Sequence, residues 1–351
     1  MAAAGRLLPP EWAPQSAVML TWPHEATDWA PWLDRVEPVF EAIAAALAPR
    51  VPLLVLARDG AHRAHVAARL RAAGVPPARV RWACVPSDDA WARDHGPLTV
   101  LEDGGPRLLD FRFNGWGGKF RHGLDDRIPA ALHAAGVFGD TPLERVELVL
   151  EGGAIDTDGA GTLLTTRRCL LSEGRNGALG QPAVEAALRS ALGAHRVLWL
   201  EHGWLAGDDT DGHVDMLARF CGPEAIAHVV CEDPADPHHG PLRALAAELA
   251  ALRTPGGQPY RLVPLPLPRP LHGPDGARLP ATYANFLVTE GAVLVPAYGD
   301  PADELAARRL ARCFPGREVV PVPCTPLLWQ GGSLHCVTMQ LPRPLPVRGA
   351  C

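Results

Sequence analysis

Lysine is almost missing from this 351-residue chain: of 33 basic residues, 32 are arginine and Lys119 stands alone. Acidic residues number 39, and the formal net charge is −6. A general nucleic-acid or anionic-membrane surface needs clustered positive charge, which this balance argues against. Long hydrophobic runs are missing too. No stretch approaches the roughly 18 consecutive apolar residues of a membrane-spanning helix. The opening MAAAGRLLPPEW reaches Pro-Pro before any apolar core forms, so it does not read as a secretory leader and a cytoplasmic location is expected. The eight cysteines (84, 169, 221, 231, 313, 324, 336, 351) include no C-x-x-C. That removes a zinc ribbon and a dithiol redox site and leaves mostly buried thiols. His238-His239 with Asp233 and Asp236 has no ligand spacing and reads as a solvated turn.

What remains is the composition of a globular protein with a full core, 47% hydrophobic and 21% charged. A weak repeat runs through it. An Ala/Leu-rich stretch with the amphipathic three-four period leads into a short β-branched strand. Examples are 61–74 then 79–86, 125–136 then 145–150, 182–193 then 196–201, 241–253 then 260–268, and 302–314 then 317–324. Arg81, Arg145, Arg196, Arg261 and Arg317 mark the five strands. Further strands are expected over 16–23, 97–102, 107–114, 161–166, 213–220, 225–231, 285–296 (hairpin-like) and 334–342. Five similar units suit a closed ring of blades better than one open sheet. No internal linker appears. The Pro-rich stretch 264–274 reads as a rigid loop beside a site, and the chain as a single domain.

Polar, Gly-rich loops follow four of the five strands: 87–97, 151–161, 201–215 and 325–336. Equivalent loops of a ring would converge at one mouth, and rigid scaffolds carry functional residues on such loops. Asp94 lies in Trp91-Ala92-Arg93-Asp94-His95-Gly96-Pro97, where the bland reading is a cap or turn former. His213 and Asp215 sit two apart in a strand-like run, which would place both on one face. Cys336 follows Gly331-Gly332-Ser333-Leu334-His335, and a Gly pair lets backbone approach a ligand closely. A buried small hydrophobe is the alternative for that cysteine. Together a Cys, a His and several carboxylates form a nucleophile set within an acidic pocket, where two carboxylates could hold a planar cation bidentately.

These segments resemble the agmatine deiminase family of guanidine-modifying enzymes. The resemblance rests on PPEWAPQSAVMLTWP (9–23), DDAWARDHGP (88–97), DFRFNGWGGKF (110–120), LEGGAIDTDGAGTLLTT (150–166), DDTDGHVD (208–215), ATYANF (281–286) and GGSLHCVTMQ (331–340), in family order along nearly the whole chain. It implies the pentein fold, a five-bladed α/β propeller of ββαβ units. It implies Cys336 as nucleophile, His213 as general acid/base, and Asp94 and Asp215 as the carboxylates that grip the guanidinium. Asp209 would help hold the substrate, Trp91 would line its channel, and Glu151 would lie near the site. Met216 departs from the family, where Asn commonly follows the aspartate.

The implied reaction is hydrolysis of agmatine to N-carbamoylputrescine and ammonia through an amidino-cysteine intermediate, with no metal or cofactor. Two nearby carboxylates should raise the Cys336 thiol pKa, so thiolate is expected chiefly in the substrate complex. A deiminase of peptidyl-arginine or free arginine is the alternative. Arginine needs a cation for its carboxylate, and Arg93 and Arg121 keep that open. Amidino transfer to an amine and guanidine binding without catalysis stand further off. The partners implied are a cationic guanidine and a second copy of the chain, not nucleic acid or membrane. Lys119, inside FNGWGGKF, either anchors that loop near the substrate mouth or is a survivor of compositional drift.

Overall fold

The computed structural model describes residues 5–351. Its strands form five small mixed sheets. In the first, β1 (Gln15–Thr21), β2 (Leu53–Ala57) and β3 (Val80–Cys84) run parallel. Helices Leu33–Leu47 and Gly60–Ala72 make the crossovers that parallel pairing requires. The next four sheets share one plan, an antiparallel pair whose second strand crosses over to a parallel third. They are β4 (Leu98–Glu102), β5 (Gly105–Arg112) and β6 (Leu143–Val149), then β7 (Ile155–Thr157), β8 (Thr162–Thr166) and β9 (Arg196–Leu200). After them come β10 (Ala218–Phe220), β11 (Ala225–Val230) and β12 (Arg261–Pro266), and finally β13 (Leu287–Thr289), β14 (Ala292–Ala297) and β15 (Glu318–Pro323).

One late strand, β16 (Met339–Pro342), pairs antiparallel with β1 and so joins the two ends of the chain in one sheet. The repeated helix-to-strand unit is therefore the crossover and third strand of each sheet. Helices Ile128–Ala134, Gln181–Leu192, His239–Ala251 and Ala302–Cys313 occupy the crossovers. Each buries its Leu/Ala stripe, for instance Leu242, Leu245 and Leu249. The central strands β8, β11 and β14 are buried along nearly their whole length, as strands covered on both faces are. No helix among the described residues is long and apolar enough to cross a membrane.

Three expectations change. Residues 213–220 are strand only from Ala218; Val214–Met216 form a single 3-10 turn. Asp211 (φ 66°) and Gly212 (φ 89°) are left-handed and turn the chain just before it, so no pleat places His213 and Asp215 on a common face. Residues 334–338 are likewise a turn, and β16 starts at Met339. There the Thr338 hydroxyl donates to the Leu334 and His335 carbonyls, and the Asn285 side chain accepts from the His335 amide. Local side-chain bonds replace the ladder. Finally, Cys84 is joined to Cys351, not a free thiol, because Ala350 bridges to Ala83 within β3 and brings the two sulfurs together. The other six cysteines are free and all but Cys231 are buried. The sequence pattern also passes over helix Leu33–Leu47 and β2, which lengthen the first sheet relative to the rest.

Candidate active site

The loops after these strands do converge. A cavity of about 470 Å³ has Asp94 and Cys336 in its lining, with Trp91, Trp116, Phe120 and Asp209 around them. Its outer wall comes from Trp32 and Trp329 and from residues 273–279, which continue the Pro-rich stretch. His213 and Asp215 are fully buried and reach the same place from behind. Gly153 shows how tightly the groups meet. A Cβ there would lie 2.7 Å from His213 Nδ1, 2.9 Å from Asp94 Oδ1 and 3.1 Å from Asp215 Oδ2. Only glycine lets three ionisable groups share that space.

Asp94 sits in the short helix Ala92–His95. Its Oδ1 accepts from the Gly153 amide at 3.1 Å and its Oδ2 from the Trp116 indole at 3.0 Å. Trp116 reaches it from a left-handed backbone, φ 56°, a conformation that costs a bulky residue about 1–3 kcal/mol. Burial, with Asp215 and Glu151 nearby, pushes the Asp94 carboxyl up to about 6. Asp215 goes the other way. Burial opposes its charge, but a hydrogen bond from His335 Nδ1 at 2.8 Å holds it below the usual carboxylate range. Its Oδ2 lies 3.8 Å from the Cys336 sulfur, while no donor among the described residues reaches its buried Oδ1.

Burial, then Asp215 and Asp94, raise the Cys336 thiol well above its ordinary pKa. His213 lies 3.8 Å from Asp94 through Nδ1 and 3.9 Å from Glu151 through Nε2. Burial opposes a charged ring there, and Asp94, the Cys169 sulfur and Glu151 outweigh it, so its pKa is raised well above the ordinary value. A buried thiol beside two carboxylates can add to a planar cation, and an imidazolium 3.8 Å from one of those carboxylates can pass a proton to the departing group.

Asp209 lines the cavity, with its carboxyl raised to about 6 by burial and by Asp208. Trp91 packs against Gly332, where a Cβ would fall 2.3 Å from its ring. Glu151 lies near the site, as expected, but does not line the cavity. It is fully buried and bound by Arg175 Nε at 2.8 Å behind His213. Lys119 ties two loops together: its ammonium donates to the Asp209 carbonyl at 2.6 Å and pairs with Asp211 at 2.8 Å. Met216 Sδ contacts Asn285 Nδ2 at 3.2 Å, and the same amide nitrogen lies 3.3 Å from the Cys336 sulfur.

Sequence reasoning assigned no role to Asn285, Trp116, His335, Glu11 or Arg175. The first four lie inside motifs that it singled out, but only the fold shows what they touch. Glu151, Cys169 and His213 form the one cluster with ligand atoms within 4.8 Å of one another among the described residues. Arg175 already occupies that glutamate, which does not suit a cation.

The Porphyromonas-type peptidyl-arginine deiminase family matches residues 7–342. An agmatine deiminase from Stutzerimonas stutzeri is 36% identical, over 97% of this chain and 96% of that one. Among solved structures, a putative arginine deiminase from Porphyromonas gingivalis is 50% identical with a TM-score of 0.90, covering 98% of this chain and all of that one. A C. jejuni agmatine deiminase, a cysteine-to-serine variant with substrate bound, is 34% identical with a TM-score of 0.89, covering 97% of this chain and 98% of that one.

Proposed function

The chain belongs to the Porphyromonas-type peptidyl-arginine deiminase family, and from that footing we propose that it is an agmatine deiminase, a hydrolase of guanidine C–N bonds. The observation that carries the reading is the meeting of Asp94, His213 and Asp215 around Gly153 beside the buried Cys336 thiol. In the proposed cycle Asp94 and Asp215 hold the guanidinium with its central carbon at Cys336, which supplies orientation. As the guanidinium binds, Cys336 loses its thiol proton to water and the thiolate adds to that carbon. His213 gives its proton to the departing nitrogen, and ammonia leaves. Water then adds to the amidino-thioether while His213 takes its proton. Collapse of that adduct releases the ureido product and the free thiol.

The choice of agmatine over arginine rests on charge. A free α-carboxylate needs a cation, and Arg278, the one Lys or Arg in the cavity lining among the described residues, is already paired, as are Arg93, Arg121 and Lys119. Arg93 lies 3.5 Å from Glu11, Arg121 is 2.9 Å from Asp88, Lys119 is 2.8 Å from Asp211, and Arg278 is 2.7 Å from Asp236. Asp209 in the cavity wall suits an ammonium instead. We read the five sheets as blades of a pentein propeller and the chain as one catalytic domain, cytoplasmic and homodimeric. The test is a panel of agmatine, arginine and an arginyl peptide, assayed for ammonia and the ureido product together. Turnover of arginine or the peptide alone would overturn the substrate assignment. Amidino transfer would show as product without ammonia.

A further inference from the structure

The two oxygens of Asp215 have unlike surroundings. Oδ2 receives His335 Nδ1 at 2.8 Å and the Asn285 amide at 3.2 Å, while Oδ1 is buried without a protein donor among the described residues. His335 turns its other nitrogen, Nε2, to Glu11 Oε2 at 2.6 Å. Arg219 donates to that same oxygen at 2.9 Å, Arg93 approaches it at 3.5 Å, and the Val288 amide donates to Glu11 Oε1 at 2.6 Å. Glu11, Asp215, His335, Arg93 and Arg219 are all buried. Both carboxylates lie below their ordinary pKa, Glu11 against the pull of burial through Arg219 and His335. Ionised carboxylates only accept, and each nitrogen of the ring faces one of them.

The last torsion of an aspartate is soft, and nothing intrinsic decides which oxygen faces a ligand. Here one oxygen is claimed by His335 and Asn285 and the other is left. The claimed oxygen is also the one 3.8 Å from the Cys336 sulfur. A donor on it lowers the negative potential that opposes a thiolate there.

Resting on the guanidine-hydrolase reading above, we propose that His335 is a positioning residue. By bridging Glu11 and Asp215 it leaves Asp215 Oδ1 to the guanidinium and draws the charge of Oδ2 away from the nucleophile. Glu11 fixes the ring, and Arg219 and Arg93 balance Glu11. A network that served stability alone would show the same contacts, so the test must read the grip itself.

Two alkylating agents of nearly the same shape and leaving group do that. 2-Chloroacetamidine is a planar cation that needs the carboxylates; 2-chloroacetamide is neutral. The quantity read is the ratio of their rates of inactivation at Cys336, in which a change in thiolate population cancels. The wild-type protein should favour the amidine, saturably. His335→Gln should lose roughly tenfold to a hundredfold of that preference, the worth of a hydrogen bond to a charged group. It should also raise KM for agmatine. Glu11→Gln keeps the ring and removes its charged acceptor, so the same ratio should fall by a smaller factor. It replaces His335→Gln if that variant does not fold. Should neither fold, the downfield ring protons of wild-type protein are followed by magnetic resonance and should shift when a guanidine inhibitor binds. An unchanged ratio in a folded variant, or unmoved ring protons, overturns the role of His335. A wild-type protein with no preference for the amidine instead overturns the guanidine reading itself.

Discussion

Replacing Asp94 by asparagine should separate activity from stability. The carboxylate faces two donors, the Gly153 amide at 3.1 Å and the Trp116 indole at 3.0 Å. An amide of the same shape brings one acceptor and one NH2 group, so one of those donors meets another donor. In a buried site that mismatch costs about 1–3 kcal/mol. Relief stands against it. Burial, helped by Asp215 and Glu151, lifts this carboxyl from 3.8 to about 6. In the fold its ionised form is therefore disfavoured by about 3 kcal/mol at neutral pH. The folded pKa is raised, so this penalty is absent below about pH 4, grows between about pH 4 and 6, and is complete above that. Asparagine carries no such penalty, the two effects roughly offset, and Tm at neutral pH should move by only a few degrees, about 2–4 °C per kcal/mol. Catalysis has no matching relief. The guanidinium loses a charged two-point acceptor worth about 3–5 kcal/mol, and kcat/KM should fall by about 10²- to 10⁴-fold. Ammonia release and a thermal melt of the same preparation measure both quantities. A kcat/KM within tenfold of wild type, or a fall in Tm large enough to unfold the protein at assay temperature, would refute the reasoning.

Asp209 shares the elevated carboxyl pKa, also about 6. Both groups must be ionised to meet a dication, so log kcat/KM for agmatine should fall with a slope near two as pH drops below about 6. Asp209→Asn should reduce that slope to one and raise KM for agmatine more than for a guanidine that lacks the amine. The buried thiol, raised by Asp215 and Asp94, should show no thiolate absorbance near pH 7 until a substrate analogue is added; full ionisation in the free protein would contradict the electrostatics drawn here. Cys336→Ala should abolish turnover while guanidine binding stays measurable by calorimetry. Lys119 is partly exposed beside Asp211, where a single ion pair contributes about 0–1 kcal/mol. Lys119→Ala should therefore raise KM by roughly fivefold or less, and an unchanged KM would return that lysine to compositional drift.

The repeat was legible because period and composition are local. The Leu/Ala helix stripes and β-branched strands fell close to where the sequence placed them. Boundaries failed where side chains compete with the backbone. At 334–338 Thr338 and Asn285 take up groups that a strand would have paired. At 211–213 two left-handed residues turn the chain, and the sequence offered only Gly212 as a hint. The five sheets followed from the repeat, but the pair β1–β16 depends on strands more than 300 residues apart.

By itself the sequence determined which residue types the site holds: a cysteine after a glycine pair, a histidine, and aspartates on loops of matched position. Side-chain chemistry and loop placement are properties of short segments. Only the tertiary structure decided how those groups are charged and which of them meets a ligand. Asp94 and Asp215 are the same residue with opposite pKa shifts, because burial and like charges prevail at one and the contact with His335 prevails at the other. Glu151 is drawn behind His213 by Arg175, and Glu11 reaches His335 across 324 positions of sequence. Burial and contact between distant segments set such energies, and no local pattern carries them.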